Sequence, residues 1–469
     1  MIFILRFYRY KNGRIMMKIQ KHIVAKLLIM ALTLGMWGCS REKKNTEIEN
    51  ENVTPTAPTE KLATEITEVP ENVDPLMNEV VIKPGVQDKG PRSIAYFTSW
   101  SAYDRALTVE DIDPTLLTHI NFAFANLTED GEVVVGDEEV DLKRDFGTEL
   151  GGDVEDAFGH FGQLRQMKAK YPKLKVLISI GGWSWSTNFS DVAADPVKRD
   201  RFAASAAEFV SKYGMDGVDI DWEYPVEGGN NITHRTTDKE NYRMLLKATR
   251  KALNEQGKAD GKTYLLSIAA RAAGRFILDS DLLESMQYLD FINLMTYDYH
   301  GSWENMTGFN APLYDAGGNP SSIDATVTTF LKAGINAADI NLGLAFYGRG
   351  WINVASTDNN GVNQAAEVPS DIGYGLGTWE AGAFDAWDIA ENYADKNGYV
   401  RYYDETAQCP YVFDGTTWIG YDDEQSIKVK TEYAIEKGLG GVMFWDFAGD
   451  KNLKLQKTIA ETLGIAKAE

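Results

Sequence analysis

The chain has 469 residues, with 69 Asp and Glu against 47 Lys and Arg and a formal net charge of −22 at pH 7. That balance argues against nucleic acid or anionic lipid as the partner and permits a neutral or cationic polymer. With 44% hydrophobic and 25% charged residues there is apolar material for a large core, in a length that suits one α/β domain with an insertion and a tail.

Residues 1–39 read as an export signal. Lys18, Lys21 and Lys26 precede the apolar run Leu27 to Leu34, which is too short to span a bilayer as a mature helix. The run ends at Gly35-Met36-Trp37-Gly38-Cys39. A small residue ahead of a cysteine there resembles a bacterial lipoprotein signal with Cys39 as the lipidation site, although Met36 and Trp37 depart from the usual aliphatic-small pattern. Met16 or Met17 fits such a signal better as a start, because the residues before them do not belong to one. A lipid on Cys39 would be the protein's membrane contact and would place it at the cell surface or in the periplasm. The other cysteine is Cys409, so no disulfide framework is expected. Residues 40–91, rich in Glu, Thr, Pro, Lys and Asn with little apolar periodicity, read as a disordered tether.

From Arg92 onward, strand-like runs alternate with amphipathic segments, the pattern of a parallel sheet wrapped by helices. The strands are predicted at 93–97, 119–124, 175–180, 217–223, 264–270, 291–297, 341–346 and 441–445. Helices are predicted at 196–212, 240–253, 323–333, 424–437 and 453–463. This rhythm predicts a (β/α)8 TIM barrel over 92–348 and 419–469, with its active site at the carboxyl ends of the strands. Residues 349–418 interrupt it with short aromatic-rich, strand-like pieces such as Gly398 to Tyr403 and Gln408 to Phe413. That length is too great for a structureless loop and predicts a small α+β insertion.

The fourth strand carries the chemistry. In Asp216-Gly217-Val218-Asp219-Ile220-Asp221-Trp222-Glu223-Tyr224-Pro225, alternation puts Asp219, Asp221 and Glu223 in one row and the apolar residues in the other. A row of like charges is destabilising on a strand. It also splits pKa values, so one member can stay protonated while a neighbour is ionised, as an acid catalyst requires. A solvated edge strand would not carry Trp222 and Pro225 beside a fully apolar row. A metal site would want further ligands, and no His-rich motif accompanies the carboxylates. Other strand ends carry Ser179-Ile180-Gly181-Gly182-Trp183, Asn293-Leu294-Met295-Thr296-Tyr297-Asp298, Phe346-Tyr347-Gly348-Arg349 and Gly440-Gly441-Val442-Met443-Phe444-Trp445-Asp446.

Together these segments resemble family 18 of the glycoside hydrolases, the chitinases, from Ser93 to Leu463. The insertion resembles that of one large subgroup, where it forms one wall of a deep cleft. Departures stand at Phe309, where a histidine is common, at Ala345, where a proline is usual, and at Arg271, which interrupts an alanine-x-proline segment.

The resemblance implies a hydrolase that cuts β-1,4 bonds between N-acetylglucosamine residues with retention, the substrate's acetamido group serving as nucleophile. It implies Glu223 as acid and base, Asp221 holding the acetamido N–H, Asp219 sharing a proton with Asp221, and Tyr297 donating to the acetamido oxygen. It further implies substrate contacts at Tyr96, Phe122, Ser179, Gly182, Trp183, Tyr224, Met295, Asp298, Tyr347, Arg349 and Trp445. Arg349 could equally pair with a cleft carboxylate. No metal or cofactor is expected, and the protein is expected to act as a monomer on chitin or its oligomers. The alternatives are an endo-β-N-acetylglucosaminidase on N-glycans or peptidoglycan, and a non-catalytic chitin-binding lectin. Such lectins usually lose the acid, whereas Glu223 is present.

Overall fold

The computed structural model describes residues 74–85, 90–147, 158–317, 321–370 and 376–465. The expected export signal with Cys39, and the tether as far as residue 73, lie outside these.

Eight parallel strands close into a barrel: Arg92–Thr98, His119–Leu127, Lys175–Gly181, Gly217–Asp221, Leu265–Arg271, Phe291–Met295, Ile340–Ala345 and Gly441–Trp445. Each pairs with the next, and the first pairs with both the second and the eighth. The short strand Val133–Val135 adds antiparallel to the second. Strands covered on both faces read as continuous apolar runs, which is why they stood out in the sequence.

The outer layer packs helices such as Pro196–Lys212, Asp238–Asp260 and Ile323–Ala333 against the strands. Pro196–Lys212 starts where Asp195 accepts from the N–H groups of Val197 and Lys198, with Pro196 pre-set for the first turn. Ile323–Ala333 is capped by Ser322 and stopped by Gly334 at φ 103°. Asp238–Asp260 outruns the expected 240–253 because the polar stretch after Leu253 stays helical until Gly261, at φ 67°, ends it.

The insertion is a five-stranded antiparallel sheet in the order Ala383–Asp385, Tyr347–Trp351, Trp418–Gly420, Cys409–Phe413, Val400–Asp404, with the helix Ala386–Asn392. It starts at Tyr347 rather than 349, so its first strand grows directly out of the seventh barrel strand. Phe309, from the loop after the sixth strand, is 4% exposed in the insertion's core, with its ring 5.8 Å from Tyr411 and 5.5 Å from Trp418. That explains the aromatic residue at this departure from the family pattern.

The tether expected over 40–91 is packed in part. Leu76 is buried with Ala203, Met244 and Ala248. Lys247 Nζ donates to Leu76 O at 2.6 Å, Asn254 Nδ2 to Ile82 O at 2.8 Å and Lys83 Nζ to Leu289 O at 2.7 Å, while Arg199 pairs with Asp74. The segment is held by the burial of Leu76 and by side chains that take up its polar groups, Lys247 and Asn254 on backbone carbonyls and Arg199 on the Asp74 carboxylate.

Candidate active site

On the fourth strand, Trp222 turns outward, fully buried and stacked on Phe189 at 5.4 Å, while Asp219 and Asp221 turn into the barrel. Strand register sets Ser179 on one side of Asp219 and Ser267 on the other. Both hydroxyls donate to it, at 2.8 and 2.6 Å, joined by the Tyr96 hydroxyl at 2.8 Å and Asn293 Nδ2 at 3.2 Å. Burial raises the Asp219 pKa, and these four donors pull it back.

Asp221 is placed differently. It is 4% exposed, and its buried Oδ1 meets no donor. Burial, then the charges of Glu223 and Asp219, push its pKa well up. Hydrogen bonds to a charged group contribute about 1.5–3 kcal/mol each, so the four donors decide which of the two carries the negative charge. Where the two share one proton, this geometry favours negative charge on Asp219 over Asp221.

Glu223 lies just beyond the strand end, half-buried. Its N–H donates to Ser186 Oγ at 2.9 Å, and the Ser186 hydroxyl donates to Gly182 O at 2.9 Å. Gly182 sits at φ 77°, and a Cβ there would meet the Phe124 ring at 2.6 Å, so the turn requires glycine. Burial raises the Glu223 pKa to about 7, against a hydrogen bond with the Tyr224 side chain, with Asp298 adding to the rise and Arg271 opposing it. Arg271 lies over the Tyr224 ring at 5.0 Å and pairs with Glu227. A departure from the family pattern thus bears on the acid itself. Glu223 can release a proton near neutral pH.

Tyr297, Met295 and Trp445 meet in one cluster at the barrel mouth. The Trp445 ring stacks on Phe124 at 5.7 Å and touches Tyr96 at 5.7 Å and Trp100 at 6.3 Å, giving a flat floor. Tyr297 packs edge-on to Tyr347 at 6.2 Å, and burial keeps its hydroxyl protonated, able to donate. Arg349 Nε and Nη2 both donate to Asp298 Oδ1, so the carboxylate pairing considered for this arginine is present. Its guanidinium also lies over the rings of Trp303 at 5.5 Å and Tyr347 at 5.1 Å. Trp183 is 52% exposed at the rim.

Three expected contacts need correction. Phe122 is fully buried on the outward face of its strand, packed on Phe97, His160 and Phe161, because alternation sends Asn121 and Ala123 inward instead. Tyr96 and Ser179 point into the barrel but are buried below the floor, where they bind Asp219. Sequence reasoning missed Ser267 and Asn293, whose signal was a polar residue in the middle of the inward row of a largely apolar strand. It also missed Phe124 and Trp100 in the floor, and Arg105, which joins Asp446 at 2.8 Å to Asp385 of the insertion at 3.5 Å.

Chitinase A1 of Niallia circulans is 41% identical over 414 residues, covering 79% of this chain and 58% of that protein, so the chain spans little more than half of that relative. Chitinase 1 of Aphanocladium album is 34% identical over 390 residues, covering 81% of this chain and 87% of that one. The structure of chitinase ChiA74 from Bacillus thuringiensis superposes with a TM-score of 0.74 at 36% identity, covering 81% of this chain and 70% of that one. Residues 92–450 match the model of glycosyl hydrolases family 18, and the chain belongs to that family.

Proposed function

We propose that this protein is a chitinase that cleaves β-1,4 bonds between N-acetylglucosamine residues with retention, the acetamido group of the substrate acting as nucleophile. The observation that carries this reading is the row of Asp219, Asp221 and Glu223 at and just beyond the strand end, with burial pushing Glu223 up to about 7, above the aromatic floor of Trp445, Phe124 and Trp100. Glu223 gives its proton to the leaving glycosidic oxygen while the acetamido oxygen attacks the anomeric carbon, forming an oxazolinium ion. The glycosidic bond breaks with its electron pair on the leaving oxygen. Glu223, now a carboxylate, takes a proton from the water that opens the ring, and returns to its acid form.

Asp221 holds the acetamido N–H and answers the positive charge that develops on it. Asp219 shares one proton with Asp221 as a single titrating pair, and the proton's move toward Asp219 gives Asp221 the negative charge that the acetamido group calls for. Tyr297 donates to the acetamido oxygen and orients it for attack. Trp445 lies under the sugar at the cleavage point, and Trp183, Tyr224, Met295, Tyr347 and the Asp298–Arg349 pair contact the chain around it. Export with a lipid on Cys39 completes the reading, supported by the basic stretch, apolar run and Gly38-Cys39 in succession.

The test is product analysis on chitin oligomers labelled at the reducing end, with anomers resolved by NMR. Retained β-anomers from acetylated oligomers, and no cut at a glucosamine in the reacting position, are expected. Inversion, or release of N-glycans or peptidoglycan fragments in place of chitin oligomers, would overturn it.

A further inference from the structure

A line of buried polar groups crosses the barrel interior beneath the site. It begins at Arg92, at the start of the first strand, which is 4% exposed with its guanidinium 4.6 Å from the centre of the Phe291 ring. Arg92 Nη1 donates to Asn341 Oδ1 at 3.3 Å and to Ala338 O at 3.1 Å. Asn341 Nδ2 donates to Asn293 Oδ1 at 3.1 Å. Asn293 Nδ2 donates to Asp219 Oδ1 at 3.2 Å and to the Tyr96 hydroxyl at 3.4 Å. Both asparagines are fully buried.

The order of donors and acceptors has one direction. A guanidinium can only donate and an ionised carboxylate can only accept, so the two ends dictate how each amide between them is turned. Turning either asparagine over would set oxygen against oxygen at one link and N–H against N–H at another. Buried polar chains of this kind polarise along their length, and the low dielectric strengthens them.

We propose that Arg92 is a positioning residue for the catalytic pair: through Asn341 and Asn293 it holds Asp219 as the carboxylate member and thereby leaves the shared proton on Asp221. The tuning cation stands two side chains away from Asp219, at the opposite end of the barrel from the site. The other groups facing Asp219 are the Tyr96, Ser179 and Ser267 hydroxyls, the carboxyl of Asp221 and the phenol of Tyr242, with Glu223 and Tyr297 beyond them facing Asp221. None of these is a cation. Around Arg92, His119 is neutral, its pKa lowered to about 3 by burial and by the charges of Arg92 and Lys175.

This inference rests on the reading of Asp219 and Asp221 as one titrating pair. The test is the pH dependence of kcat/KM on a soluble chitin oligomer for wild type, N341L, N341D and D221N, with melting curves to confirm folding. N341L cuts the relay. N341D lets Asn293 turn its N–H groups toward position 341 and its oxygen toward Asp219, which reverses the line. The acid limb is expected to move up by about one pH unit in N341L and further in N341D, with the alkaline limb in place. N341D is isosteric with the native side chain and carries the test if N341L does not fold. Acid limbs that superpose on wild type, or limbs that move together, would overturn the relay. D221N separates the two ideas: if it keeps the wild-type acid limb, the paired-carboxylate reading fails, whereas a lost limb beside unmoved Asn341 variants sinks the relay alone.

Discussion

Arg349 places both Nε and Nη2 on one oxygen of Asp298, at 2.9 and 2.7 Å, and Asp298 in turn raises the pKa of Glu223. The arginine therefore sets how much of that negative charge the acid feels. Because turnover needs Glu223 protonated, kcat/KM should fall as pH rises through about 7. D298N removes a charge that favours the neutral form, so the alkaline limb should move down. R349M exposes that charge and should move it up, each by about one pH unit. Movement of both variants in the same direction would contradict this arrangement.

Glu223→Gln keeps the shape of the acid and removes its transferable proton. A loss of at least about two orders of magnitude in kcat is expected, with oligomer binding retained in calorimetry. Near-normal hydrolysis would rule out Glu223 as the acid.

Phe309 fixes the insertion to the barrel loop after the sixth strand. Phe309→Ala leaves a cavity against Tyr411 and Trp418 and should cost about 3–5 kcal/mol, read as a lowered unfolding midpoint. A midpoint equal to wild type would mean that the two cores are not joined through this ring.

Cys39→Ala should move the protein from the membrane fraction to the soluble one without changing kcat in the purified enzyme. Mass spectrometry of the mature N-terminus checks the same point. An unacylated start at some other residue would refute the anchor.

How much of this was legible depended on where each signal is written. Pro196–Lys212 and Ile323–Ala333 were readable to the residue because both carry end signals in the chain: Asp195 with Pro196, and Ser322 with Gly334. The helix Gly159–Lys170 was missed because it buries His160, Gln163 and Gln166, so no apolar stripe betrays its inner face. The row of acids on the fourth strand announced itself by its chemistry, although the strand stops at Asp221 and Glu223 is placed by the Ser186 hydroxyl. Phe122 was misplaced because its strand is buried on both faces, with the polar His119 and Asn121 on the inward row and Phe122 on the outward one, so polarity does not tell inside from outside. The partners of Asp219 come from separate strands brought together by register, which no local pattern records.

The segment Asp74–Gly85 has a mechanical consequence. A pull on the chain from its N-terminal side meets, in turn, the Asp74–Arg199 pair, the grip of Lys247 on Leu76, the Glu79–Lys251 pair at 2.8 Å, the bond from Asn254 to Ile82, and Lys83 on Leu289. All of them must be peeled away before any load reaches Arg92, where the first strand and the buried line to Asp219 begin. The segment is therefore placed as a strain relief, as a clamp on a cable is: force arriving from the N-terminal side is spent first on non-covalent contacts that can re-form, ahead of the register of the catalytic strands.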